Sequence, residues 1–362
     1  MDILEALKAL SLPDPLVMND GRRVKTRDDL LLRREEIKEL LANEMYGKMP
    51  PPSDHLDVKV EEIDNSFAAG KASVYTLRFN ATFEDEIYSF RVKSVIPSGM
   101  GRMPAIIYLS DTADIPNKYL PAEEIADRGY AVFLLPVNEI TRHGKGARFH
   151  DGLARSLSPR RRSDTSPGKL MMWAWGAMRV MDYVKNQTSI RGDRTAVCAH
   201  GTLGISALIA GGFDERFEYV ISNCAGTLGT SISRGKLGDT PESLIESYPT
   251  FFSRKFTKSK RPLEKAPYDQ HFLLFLSLDR HLLIGSAELD LKGDARGELL
   301  ALAALEESAS LFSEKPVCPI TQMPRTGEAL TLGGAFYRLR SGGSYFSRDD
   351  WNTYLDYIDK NL

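Results

Sequence analysis

Apolar and polar positions follow one rhythm early in the chain and another later. Thr26-Arg27-Asp28-Asp29 opens a helical pattern with Thr26 as its cap. Leu30, Leu31, Ile37, Leu40 and Leu41 then recur at near-helical spacing through about Asn43. A Pro-rich break, Met49-Pro50-Pro51-Pro52-Ser53-Asp54, closes that segment. Three strand-like runs follow, over 56–63, 72–81 and 87–96. In the second, Val74, Thr76, Arg78 and Asn80 alternate with Tyr75, Leu77 and Phe79, the period of a half-buried strand. Short polar gaps join the runs and predict an antiparallel meander.

Beyond residue 97 the strands read as continuous apolar runs: 105–109, 131–135, 195–198, 219–221 and 281–285. Strands buried on both faces of a parallel sheet have this character. Helical patterns separate them, at 121–127, 169–185, 203–211 and 296–311, and a last one spans 348–359 with Trp351, Leu355 and Ile358 on one side. Strand and helix in alternation predict a doubly wound α/β domain. The expected division is an N-terminal helix and antiparallel strands over 1–97, packed on an α/β domain over 98–362.

Composition narrows the function. Lys plus Arg is 47 and Asp plus Glu is 49 in 362 residues, a net charge of −2. No positive excess offsets phosphates, so a nucleic-acid partner is not expected. Three dispersed cysteines, Cys198, Cys224 and Cys318, exclude a disulfide framework and point to no zinc site. No stretch reaches the roughly 18 apolar residues of a membrane span. Met1-Asp2-Ile3-Leu4-Glu5 lacks the basic and apolar regions of a signal peptide, which predicts a cytoplasmic protein if Met1 is the native start. One charge run, Arg155 to Arg162, reads either as a solvated loop or as an anion-capturing segment near a cleft.

Ligands of a doubly wound sheet sit at the carboxyl ends of its strands. There the most informative junction is Ala196-Val197-Cys198-Ala199-His200-Gly201-Thr202-Leu203-Gly204-Ile205. A buried strand runs into a tight turn and then a helix with small residues, the form of a nucleophile elbow. Its central residue is Gly201, which meets the backbone demand of the turn and offers no nucleophile.

From this junction outward the chain resembles the glucuronoyl esterase and acetylxylan-esterase-like carbohydrate esterases, a group of α/β-hydrolases. The resemblance runs from Leu12-Pro13-Asp14-Pro15-Leu16 through Glu44-Met45-Tyr46-Gly47, Arg128-Gly129-Tyr130-Ala131, Trp173-Ala174-Trp175-Gly176 and Phe213-Asp214-Glu215-Arg216-Phe217 to Asp350-Trp351. It implies a three-layer α/β-hydrolase fold, with a mostly parallel sheet, helices on both faces and N-terminal antiparallel strands. It also implies acyl transfer by a serine, a histidine and a carboxylate, with no cofactor and no metal.

The family elbow reads Gly-His-Ser-Arg-x-Gly-Lys. By that pattern Gly201 takes the place of the serine, Thr202 that of the oxyanion-supporting arginine and Ile205 that of the lysine. The family histidine follows a Gly-Gly pair, and after Gly342-Gly343 this chain has Ser344. One acid position, twenty-three residues on from Gly201, is Cys224, and the alternative acid position retains Asp290. Two residues further, where an aromatic stacks on sugar, stands Lys292. His200, Thr202 and Lys292 are candidate ligand contacts.

The expectation is an esterase-like protein without serine–histidine hydrolysis, whose cleft still takes a carbohydrate or small acid. Two alternatives stand beside it. One is a hydrolase with a displaced nucleophile at Thr202, Ser206 or Cys224. The other is a non-catalytic, partner-binding subunit. The sequence sets no oligomeric state.

Overall fold

The early strands pair as their alternation requires. In the computed structural model, which describes residues 2–83, 86–157, 162–313 and 316–362, β1 (His55–Asp64), β2 (Ala72–Phe83) and β3 (Glu86–Pro97) form an antiparallel meander. β1 keeps mostly exposed residues and lies at an edge. Leu77, Phe79 and Ala81 of β2 and Phe90 and Val92 of β3 enter the core. β3 then pairs antiparallel with β5 (Ala131–Pro136), so the meander continues into the main sheet.

The continuous apolar runs become the parallel centre. β4 (Met103–Ser110), β6 (Ile190–His200), β7 (Tyr219–Asn223), β8 (His281–Ala287) and β10 (Ala335–Arg340) run parallel to β5, and β9 (Ala329–Leu332) pairs antiparallel with β10 at the far edge. The order is β1-β2-β3-β5-β4-β6-β7-β8-β10-β9. Alternate residues of each central strand feed two separate cores. Ile107, Val197, Val220 and Ile284 pack under the helices Lys169–Lys185, Thr202–Phe213 and Ala295–Ala303. Ile106, Ala196, Ile221 and Leu283 pack under Ala122–Asp127 and Arg348–Lys360. Helices on both faces of one sheet give three layers.

Two details differ from the sequence reading. The pattern over 296–311 is two helices, Ala295–Ala303 and Glu306–Phe312, because the chain turns at Leu305, whose side chain is fully buried. β9 and β10 carry no long apolar run, since Arg338 and Arg340 alternate with the apolar positions of β10. Trp173 and Trp175 are both buried, with their indole N–H groups donating to the carbonyls of Thr141 at 3.0 Å and Pro51 at 2.8 Å. The Arg155–Arg162 run falls partly on 158–161, outside the described residues. Of its ends, Arg155 is exposed, whereas Arg162 covers the Phe149 ring and donates to the Phe252 carbonyl. Among the described residues, no helix is long and apolar enough to cross a membrane.

Candidate functional site

β6 ends at His200, Gly201 turns, and the helix begins at once at Thr202. Gly201 has φ 60° and ψ −141°. Such a backbone strains an L side chain by about 1–3 kcal/mol, and glycine adopts it freely. The turn is fixed from both sides: Gly201 N–H donates to the Asn223 carbonyl at 2.8 Å, and the Gly201 carbonyl accepts from Gly204 N–H at 2.9 Å. A Cβ built on Gly201 would meet no atom within 4 Å. The space a side chain would take is therefore empty.

That space belongs to a cleft of about 610 Å³, walled by Tyr108–Thr112, Asn117–Tyr119, His143 and His200–Leu203. No side chain caps the helix that starts at Thr202, so its positive end lies at the cleft floor. Backbone N–H groups in that position suit an oxyanion or any other hydrogen-bond acceptor.

Among the candidate residues, the cleft brings together His200, Gly201 and Thr202. His200 is half-buried between Tyr119 and Phe346, with ring centroids at 5.4 and 5.9 Å. Its Nδ1 lies 2.8 Å from Asn223 Oδ1. Burial lowers its pKa below the usual imidazole value, against the opposing pull of Asn223. The ring is therefore neutral at neutral pH.

The other candidates stand further out. Cys224 is buried, and burial pushes its thiol far above the usual range. A thiol held neutral is inert as a nucleophile. Ser206 is fully buried and donates to the Leu170 carbonyl at 3.0 Å, which removes it from the cleft. Asp290 follows β8, and its Oδ1 accepts from Gly293 N–H at 3.1 Å. Its charge acts through space on both His200 and Cys224. Lys292 is exposed, with its carbonyl accepting from Asp239 N–H at 3.0 Å. Neither Asp290 nor Lys292 lines the cleft around Gly201. His271 is fully buried at the start of the short helix His271–Phe275, with Nε2 donating to the Pro13 carbonyl at 2.9 Å.

Ser344 is exposed in the turn after β10. The turn wraps a guanidinium. Arg340 donates to the carbonyls of Ser341 at 2.8 Å, Gly343 at 2.9 Å and Tyr345, while its Nε pairs with Asp350 at 2.9 Å. Tyr345 leans edge-on against Tyr119 at 4.9 Å, and Tyr119 in turn lies against His200. The loop that holds Ser344 is thus fixed and adjoins the cleft wall.

The sequence reading missed two acidic features. Asp111 Oδ1 lies 2.8 Å from His143 Nδ1, and both residues line the cleft. His143 Nε2 is buried without a partner among the described residues, against Trp173 and Phe251. The pair shapes the wall, and its second nitrogen is buried. Asp111 comes two residues after the apolar run at 105–109, so its place at a strand's carboxyl end was the available signal. Glu298 is the second feature. It lies beneath the loop after β7 and accepts from Gly226 N–H at 3.0 Å and from the hydroxyls of Thr230 and Ser286. Burial outweighs these donors and pushes its pKa up to about 7. Nothing in its helical pattern marks it. Among the described residues, no group of three or more His, Cys, Asp or Glu side chains suits a metal ion.

A family model described as "Glucuronyl esterase, fungi" matches residues 79–306. The carbohydrate esterase MZ0003, from an unknown prokaryotic organism, is 27% identical over 402 residues, covering 97% of this chain and 90% of that one. The glucuronoyl esterase from Solibacter usitatus superposes with a TM-score of 0.87 at 24% identity, over 96% of this chain and 97% of that one. A serine-to-alanine mutant of the glucuronoyl esterase from Sporotrichum thermophile, in complex with methyl 4-O-methyl-β-D-glucopyranuronate, superposes with a TM-score of 0.72 at 22% identity, over 97% and 87% of the two chains.

Proposed function

The chain belongs to the glucuronoyl esterase family, an α/β-hydrolase group, and we propose that this member binds a carbohydrate in its cleft without serine–histidine hydrolysis. One observation carries the reading: the elbow residue is Gly201, and the space above it is open. Without a side chain at that point no acyl-enzyme forms. Losing the nucleophile of such a triad costs roughly 10⁶-fold in turnover. Ser344, at the position the family pattern gives to histidine, has no basic nitrogen to move a proton.

The surroundings favour binding over a displaced nucleophile. Ser206 is bonded inside the core and Cys224 is held as a neutral thiol. Thr202 lines the cleft, and among the described residues its hydroxyl donates to no histidine or carboxylate that would activate it. What remains supports recognition of a sugar. The cleft holds an aromatic wall at Tyr119, an uncapped helix end and a neutral imidazole. The relative from Sporotrichum thermophile carries a methyl glucuronate.

Isothermal calorimetry with methyl 4-O-methyl-β-D-glucopyranuronate tests the binding half. Saturable heat from a single site is expected. No heat at millimolar ligand would remove the carbohydrate and favour the partner-binding alternative.

A further inference from the structure

We propose that Asn223 and Tyr354 hold His200 as its Nδ1–H form, so that the Nε2 lone pair faces the cleft and accepts a hydrogen bond from a ligand hydroxyl. The hydroxyl partner rests on the carbohydrate reading above, while the form of the ring does not.

His200 and Asn223 are register partners at the ends of β6 and β7. Their side chains meet at 2.8 Å, imidazole Nδ1 to amide Oδ1. Asn223 is fully buried, and its Nδ2 donates to the Tyr354 hydroxyl at 2.8 Å. Both ends of the amide are thus occupied, with its oxygen turned to the histidine. An amide oxygen only accepts, so Nδ1 carries the hydrogen. In a neutral imidazole the lone pair then lies on Nε2. Burial and Arg340 favour the neutral ring, while Asn223, Asp350 and Asp290 pull the other way.

The strand beside this chain of bonds leaves room for it. Gly285 of β8 is the register partner of Asn223. A Cβ at Gly285 would lie 1.9 Å from Tyr354 Oη and 2.6 Å from Asn223 Nδ2. Any side chain there would break the link, which gives this glycine a reason beyond the sheet. The ring itself is clamped by Phe346, nearly parallel at 15°, and by Tyr119. Nε2 has no partner among the described residues and is not among the buried orphaned atoms, so it opens to the cleft that His200 lines.

The result is an acceptor next to the donors of the uncapped helix end. A sugar hydroxyl answers both, since it donates to one and accepts from the other. In an intact elbow a serine side chain would stand between them. Here Gly201 leaves that space free.

The test uses the full chain with ¹⁵N-labelled histidine and long-range ¹H–¹⁵N correlation at about neutral pH. His200 is assigned by the signals lost in His200→Phe. The expected spectrum has a protonated Nδ1 and a bare Nε2. A protonated Nε2 with a bare Nδ1 overturns the proposal without any variant needing to fold. The second arm adds methyl 4-O-methyl-β-D-glucopyranuronate. The His200 Nε2 signal should move on binding, and His200→Phe, which retains the ring packing, should weaken affinity roughly five- to tenfold. Binding that leaves Nε2 unmoved overturns the hydroxyl contact. Absence of binding with the Nδ1–H form intact contradicts the carbohydrate reading and leaves the ring assignment standing.

Discussion

Glu298 combines complete burial, a pKa pushed up to about 7 and three donors aimed at its oxygens. Its folded value lies above the ordinary carboxylate value of 4.5. The folded state therefore binds a proton over a range where the unfolded chain has lost it. The contribution to stability is complete below about pH 4.5 and fades as pH rises through about 7. The loss is on the order of 3 kcal/mol, before the neighbouring Lys236 relaxes. Glu298→Gln fixes the neutral form. Melting temperatures measured from about pH 5 to about pH 8 should fall more steeply in the parent than in this variant. Parallel curves would remove Glu298 as the cause. At this scale sequence and structure diverge in an instructive way. Gly201 was legible because a strand–turn–helix pattern surrounds it and because only glycine tolerates its backbone without strain. Glu298, Asn223 and the Asp111–His143 pair were not, since each acts through partners far away in sequence.

The turn after β10 is the element that decides what faces the cleft from that side. Its carbonyls converge on Arg340, and Arg340 is paired with buried Asp350, which also caps the last helix through Ser347. Removing one member of a buried pair leaves the other charge uncompensated, at a cost of about 3–5 kcal/mol. Arg340→Met should therefore lower the unfolding free energy measured in urea by an amount of that order and free the turn to protease at Gly342–Gly343. A change below about 1 kcal/mol would mean that the carbonyls find other donors. Element boundaries followed the sequence wherever apolar periodicity was unbroken, as at Lys169–Lys185. They departed where a charge served the interior: Arg340 is buried, so its strand did not read as apolar. Leu305 ends a helix by entering the core, a tertiary choice that local pattern does not encode.

Across the whole molecule, β4, β6, β7, β8 and β10 deliver their carboxyl ends to one side, and the cleft lies there between the loops after β4 and the elbow after β6. That placement follows from a doubly wound sheet and was legible from the alternation of strands and helices. The meander β1–β3 adds width at one edge and shares the larger core with the central strands. The scaffold is thus the family's, while the turn after β6 carries no side chain at Gly201. Backbone donors alone leave at most about 10³–10⁴-fold catalysis over water once a nucleophile is gone. The most direct measurement is the rate at which purified protein hydrolyses 4-nitrophenyl acetate and a methyl glucuronate ester, compared with buffer. A rate below about 10⁴-fold over buffer, with no acyl-enzyme burst, is expected. Saturable turnover well above that ratio, in protein whose Gly201 is verified by mass spectrometry, would contradict it.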